Sequence, residues 1–151
     1  MKVMTVRFGE LDVPEDQLIL FPGGILGFPG LTRYVLIDVG EDCPFKWLQC
    51  VEEPGLAFVV MDPRLFKPDY VVRASALELA DIGLSDPTGA VVYVILSQPG
   101  PEDDLTGNLK GPLVANPQLR LAKQLVLQDP EYSTRHTIVP GGQSPSATEV
   151  D

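Results

Sequence analysis

Few side chains in this 151-residue chain combine type and spacing in a way that supports chemistry, and the first to weigh is the single histidine, His136. A serine or cysteine nucleophile ordinarily needs a histidine base. His136 falls in RHTIV (135–139), a predicted strand, and no G-x-S-x-G elbow presents a serine. A structural, hydrogen-bonding histidine is expected. The rival expectation is an acid–base pair of His136 with a nearby carboxylate, in a small-molecule-binding enzyme. The two cysteines, Cys43 and Cys50, are an odd number of positions apart. On an extended segment that offset sends side chains to opposite faces, so free thiols are expected. Two thiols and one remote histidine do not make a zinc site.

Carboxylates come as adjacent runs, Glu52-Glu53 and Glu102-Asp103-Asp104. Neighbours on an extended chain diverge, whereas a cation needs convergent oxygens, so no metal is expected. Solvation is one reading of these runs, and an acidic docking surface for a basic partner is the other. PGGILGFPG (22–30) lacks phosphate-loop spacing and does not follow the dinucleotide-binding pattern. Its glycines and prolines are read as tight turns, with Ile25, Leu26 and Phe28 either packing inward or forming an apolar ridge for a partner. No cofactor is expected.

The elements that must position these residues are short. Fourteen glycines and 15 prolines punctuate the chain almost regularly. Between them lie β-branched and aromatic pieces: MTVRF (4–8), RYVLIDV (33–39), FKWLQCV (45–51), LAFVVM (56–61), YVVRAS (70–75), AVVYVILS (90–97) and RHTIV (135–139). Many short strands with turn signals between them predict an all-β sandwich or barrel. In MTVRF the alternation puts Met4, Val6 and Phe8 on one face. AVVYVILS is apolar on both faces, as a strand covered twice should be. SALELADIGL (75–84) predicts one or two helical turns, with Ser75 as N-cap, Glu78 in capping-box position and Gly83 near the end. QLRLAKQLVLQ (118–128) suits either a helix or a strand, and is read as a strand following PLVAN (112–116). The fold expected is a compact antiparallel β-barrel-like domain over residues 1–140, with a disordered polar tail over 141–151.

Charge narrows the function. Eleven basic against 21 acidic groups give a formal net charge of −10. Phosphate-backbone affinity comes largely from cations, so direct nucleic-acid binding is not expected. No apolar run reaches membrane-spanning length, and MKVMTVRF has no secretory h-region, so a cytosolic protein is expected. GNLKGPLVANPQ (107–118) interleaves Asn108, Lys110, Asn116 and Gln118 with Leu109, Leu113 and Val114. It reads as a polar-faced edge strand broken at Gly111-Pro112, or as an edge that receives another chain by β-addition.

Six segments in order, LILFPGGILGFPGLTRYVLI (18–37), PFKWLQCVEEPGLAFVVMDP (44–63), FKPDY (66–70), NLKGPLVAN (108–116), KQLVL (123–127) and YSTRHTI (132–138), resemble the FliW family of flagellar assembly factors. The resemblance implies a non-enzymatic, cytosolic, all-β protein that binds newly made flagellin. It also implies binding to the translational regulator CsrA, so that the factor, when free, antagonises CsrA and relieves repression of flagellin mRNA. The alternative is a generic β-barrel binding module or chaperone for another secretion client. Within the family-like motifs the candidate partner-binding residues are Phe45, Trp47 and Gln49 on one face of a predicted strand, Asn108, Lys110 and Asn116, and Ile25 and Phe28. For Phe45 and Trp47 a core role is the competing reading. Two positions depart from the family pattern: Gly111 stands where alanine is expected, and Val71-Val72-Arg73 where a more acidic strand is expected.

Overall fold

The computed structural model describes residues 1–139 and 141. Most of the expected tail, 141–151, lies outside the described residues. Eleven strands form in chain order: β1 (Lys2–Thr5), β2 (Gly9–Asp12), β3 (Leu18–Leu20), β4 (Arg33–Ile37), β5 (Phe45–Cys50), β6 (Ala57–Met61), β7 (Val91–Ser97), β8 (Leu105–Gly107), β9 (Leu113–Asn116), β10 (Leu121–Gln124) and β11 (His136–Val139). One short helix, α1 (Ala76–Leu79), and four 3-10 turns fill the connections.

The sheet closes on itself. Strands run β7-β6-β5-β4-β3-β10-β9, and β9 returns to pair with β7 through Val91↔Ala115, Val92↔Val114 and Tyr93↔Leu113. The ring is a seven-stranded barrel. Its pairs are antiparallel except β3–β10, a parallel contact at Leu20↔Leu121 that is strengthened by the Leu20 N–H donating to Arg120 O at 2.9 Å. β7 is long enough to serve two partners on one edge, β9 at its start and β8 at its end, and β11 extends the sheet from β8.

Three apolar clusters follow from this closure. Side chains of all the ring strands meet in the lumen, where Phe21, Tyr34, Leu48, Cys50, Val60, Leu113 and Ala122 are buried. Outside the barrel, Val92, Val94 and Leu96 of β7 pack with Phe45, Met61 and Val114 under a cover supplied by connecting segments, including Tyr70, Leu79, Leu125 and Tyr132. β7 therefore has an apolar neighbour on each face, as AVVYVILS predicts. On the far side the β1–β2 hairpin lays Val3 and Val13 over Val35. The N-terminal alternation is inverted relative to expectation. Val3 and Thr5 are buried, Met4 is 52% and Val6 77% exposed, and the chain turns at residues 6–8 instead of continuing as a strand. The Thr5 hydroxyl makes that turn, donating to Gly9 O at 2.8 Å and accepting from the Phe8 N–H at 2.8 Å.

The Ser75 capping box forms with both reciprocal hydrogen bonds, and Gly83 ends the following 3-10 turn at φ 80°, the left-handed conformation glycine adopts freely. YVVRAS (70–75) is no strand. Instead the Tyr70 hydroxyl donates to Leu109 O at 2.6 Å and the Tyr132 hydroxyl accepts from the Val71 N–H at 2.9 Å, so side chains replace a ladder. β10 is shorter than the predicted 118–128 run. Arg120, at φ 57°, turns the chain after Asn116-Pro117, and beyond Gln124 the Leu125 and Leu127 N–H groups donate to Pro112 O and Lys110 O.

Candidate binding surfaces

β5 carries three of the candidates on the outer face of the barrel, and each meets a different environment. Phe45 is buried in the outer core beside Met61 and Leu96. Gln49 is fully buried. Its Nε2 donates to the carbonyls of Cys50, Pro54 and Leu56 at 3.0, 3.1 and 3.1 Å, which pins the loop at residues 52–56 against the strand. Those acceptors fix the amide orientation and leave Oε1 buried with no partner among the described residues. Trp47 between them is half-buried. Arg7 lies 4.2 Å above its ring and Phe8 meets it edge-on at 5.9 Å. The expectation of one contact face over these three residues is corrected: Phe45 and Gln49 are closed off by their own chain, and Trp47 is the member that reaches a surface.

The 108–116 segment is corrected in the same way. β9 is held on both edges, by β7 and by β10, so it offers no free edge for β-addition. Asn116 is buried, donating from Nδ2 to Ile82 O at 2.9 Å and accepting at Oδ1 from the Gln118 and Leu119 N–H groups, which forms the β9–β10 turn. Asn108 is half-buried and accepts from the Gly111 N–H at 2.9 Å. A Cβ at Gly111 would lie 2.8 Å from Asn108 Nδ2 and 2.9 Å from Gln124 Nε2, so those two side-chain amides would have to shift to admit one. Lys110 stays half-buried, its carbonyl committed to Leu127 and its ammonium unpaired among the described residues.

The glycine-rich loop divides its apolar residues between the interior and the surface. Ile25 is 2% exposed and belongs to the lumen cluster, whereas Leu26 is 65% and Phe28 37% exposed. Phe28 leans edge-on against Phe58 at 5.7 Å. Gly24 lets the loop fold this tightly, since at φ 70° a Cβ would come 2.4 Å from Phe28 O. The Leu26 N–H donates to Gln124 Oε1 at 2.9 Å, so the loop is anchored while its apolar tips face out. Beside it runs a groove lined by Leu26, Pro29, Lys123 and Gln124, with Lys123 paired to Asp81 at 3.1 Å.

The carboxylate runs divide. Glu52 is a clamp: it accepts from the Thr32 and Arg33 N–H groups at 3.0 and 2.9 Å, with the Arg33 guanidinium 3.8 Å away. Burial pushes the Glu52 carboxyl up, but those two N–H groups and the guanidinium outweigh it and hold it below the ordinary carboxylate range. Glu102, Asp103 and Asp104 remain exposed in a loop. His136 opens β11 half-buried and stacked on Phe66, ring centroids 5.8 Å apart, with no salt bridge to a carboxylate among the described residues. No group of three or more metal-ligating side chains converges among the described residues. Cys43 and Cys50 are free thiols in opposite clusters, and burial pushes the Cys50 thiol up. No helix among the described residues is long and apolar enough to cross a membrane.

A closed small barrel whose buried polar candidates, Gln49 and Asn116, are engaged with its own backbone, and which turns Leu26 and Phe28 of a loop and Trp47 of β5 toward solvent, defines a small β-barrel protein. The family model of the FliW protein matches residues 2–138. The flagellar assembly factor FliW of Natranaerobius thermophilus is 41% identical over 141 residues, covering 91% of this chain and 92% of that protein. The flagellar assembly factor FliW of Geobacter sulfurreducens is 40% identical over 136 residues, covering 90% and 85%. A crystal structure of the flagellar assembly factor FliW superposes with a TM-score of 0.84 at 32% identity, covering 94% of this chain and 99% of that one. The chain belongs to the FliW family of flagellar assembly factors.

Sequence reasoning missed Arg7 as a surface residue beside Trp47 and left Leu26 open between core and ridge. Arg7 lay in what reads as a strand, and only Gly9 after it signalled a turn. Leu26 adjoins Ile25 without any periodicity that separates inward from outward.

Proposed function

We propose that this chain is a cytoplasmic flagellar assembly factor that binds flagellin and, when free of it, binds and antagonises the translational regulator CsrA, relieving repression of flagellin mRNA. The observation that carries this reading is the continuous similarity over residues 2–138 to proteins described as flagellar assembly factors. Leu26, Phe28 and Trp47 supply apolar contacts suited to an amphipathic client segment. Phe28, Trp47, Asn108 and Lys110 are the candidates with exposed or half-exposed side chains. Ile25, Phe45, Gln49 and Asn116 act from the interior, by holding those surfaces in place. A net charge of −10 lets the protein oppose RNA phosphates near a bound regulator within roughly a Debye length, about 8 Å at physiological salt, without touching RNA itself. Calorimetry with flagellin and CsrA, separately and then in competition, tests this. Binding to each, with flagellin displacing CsrA, supports the switch, and binding to neither by a folded sample rejects it.

A further inference from the structure

The barrel is not filled to its end. An apolar cavity of about 170 Å³ occupies the lumen, walled by Phe21, Leu36, Leu48, Val60, Leu113 and Ala122. An engineered apolar cavity of about 150 Å³ is large enough to take benzene, so this space accommodates a body of roughly six carbons. It reaches the surface where β7 begins and β9 ends, beside Val91, Asn116, Pro117 and Arg120. The depth is apolar and Arg120 is the polar side chain at the mouth, a few-polar-groups arrangement of the kind small-molecule sites use.

Arg120 sets the chemistry of the mouth. It is the one described residue other than glycine with a positive φ, 57°, a conformation costing about 1–2 kcal/mol for an ordinary side chain. Its Nη2 donates to Gln17 O at 2.8 Å and its Nε to Leu18 O at 3.4 Å, which aligns the guanidinium across the β3 entry. Nη1 has no partner, and no carboxylate forms a salt bridge with Arg120, among the described residues. Lys46 offers no equivalent, because it is paired with Asp38 at 2.7 Å. An oriented, unneutralised guanidinium at the mouth of an apolar cavity matches a carboxylate with an apolar body.

We propose that the lumen is a binding site for a small monocarboxylate, with its hydrocarbon body between Leu36, Leu48 and Leu113 and its carboxylate on Arg120. The test titrates the full chain with octanoate and with octanol, the neutral counterpart, following thermal shift and methyl NMR. Octanoate is expected to raise Tm, to shift the Leu36, Leu48 and Leu113 methyl resonances, and to bind more tightly than octanol. Arg120→Gly suits the left-handed backbone and keeps the barrel folded. It is expected to weaken octanoate at least tenfold and to leave octanol unchanged. Ala115→Leu narrows the cavity and is expected to weaken both. Should that variant fail to fold, the octanoate-to-octanol ratio in Arg120→Gly still decides. No lumen shifts at millimolar octanoate, shifts confined to the outer wall, equal affinity for the two probes, or undiminished octanoate binding by Arg120→Gly would each overturn the proposal.

Discussion

The outer wall of the barrel is covered twice, and the two coverings differ in depth. Over β6, β7 and β9 the cover is thick: α1, the segment around Tyr70 and Val72, and the segment from Leu125 to Tyr132 build an outer core with more buried residues than the lumen's. Over β4 and the middle of β5 the cover is thin, one two-stranded hairpin with Val3, Val13 and a few half-buried neighbours. Phe45 and Trp47 share a strand and a face, yet the first lies under the thick cover and the second emerges beside the thin one, shielded only by Arg7 and Phe8. A wall position becomes core or contact surface according to what distant chain lies on it. Strand pattern alone does not distinguish the two.

The largest effect expected is at the thick cover. Phe45→Ala should lower unfolding free energy by about 3–5 kcal/mol in urea titration, as aromatic truncations in a packed core do. Gln49→Ala comes next, at about 1–3 kcal/mol, because the Cys50 carbonyl and two carbonyls in the 52–56 loop, Pro54 and Leu56, lose their donor; hydrogen exchange should rise first in that loop. Trp47→Ala should cost about 1 kcal/mol, the scale of one exposed cation–π and one edge-on aromatic contact, while weakening partner binding in calorimetry. If Trp47→Ala cost as much as Phe45→Ala, the contrast between the coverings would collapse. Glu52→Gln should give the smallest effect at neutral pH, and it sharpens the comparison by its pH dependence. The folded Glu52 carboxyl titrates below its unfolded value, so its stabilisation is present above the unfolded pKa and is lost as pH falls through the folded one. The thermal-melt difference between wild type and Glu52→Gln should therefore shrink on acidification below the ordinary carboxylate range.

Much of this architecture was legible from local signals. Strands β4 to β7 and β11 follow from β-branched runs between turn residues, and the α1 capping box from Ser75 and Glu78 three positions apart. The failures share a cause. YVVRAS has strand composition but meets the hydroxyls of Tyr70 and Tyr132 before any ladder partner. MTVRF (4–8) alternates in sequence, but the chain turns at Thr5 and the opposite face is buried. Asn116 and Gln49 look like polar contact residues on a strand, and only the tertiary fold reveals carbonyls placed around them. At the candidate surfaces, local composition singled out segments 22–30 and 45–49, and long-range packing chose which side chains in them face out.

The parallel pairing of Leu20 with Leu121 also bears on how the protein is made. The ring joins strands separated by a hundred residues, a closure whose chain-entropy cost is about 4 kcal/mol by the logarithmic loop law. At a translation rate of about 5–20 residues per second, β3 waits about 5–20 s for β10 to be synthesised. During that interval the strands made first carry the lumen's apolar face with no opposite wall. The nascent chain is thus itself a sticky species over that interval, and the barrel closes only after β10 has been made.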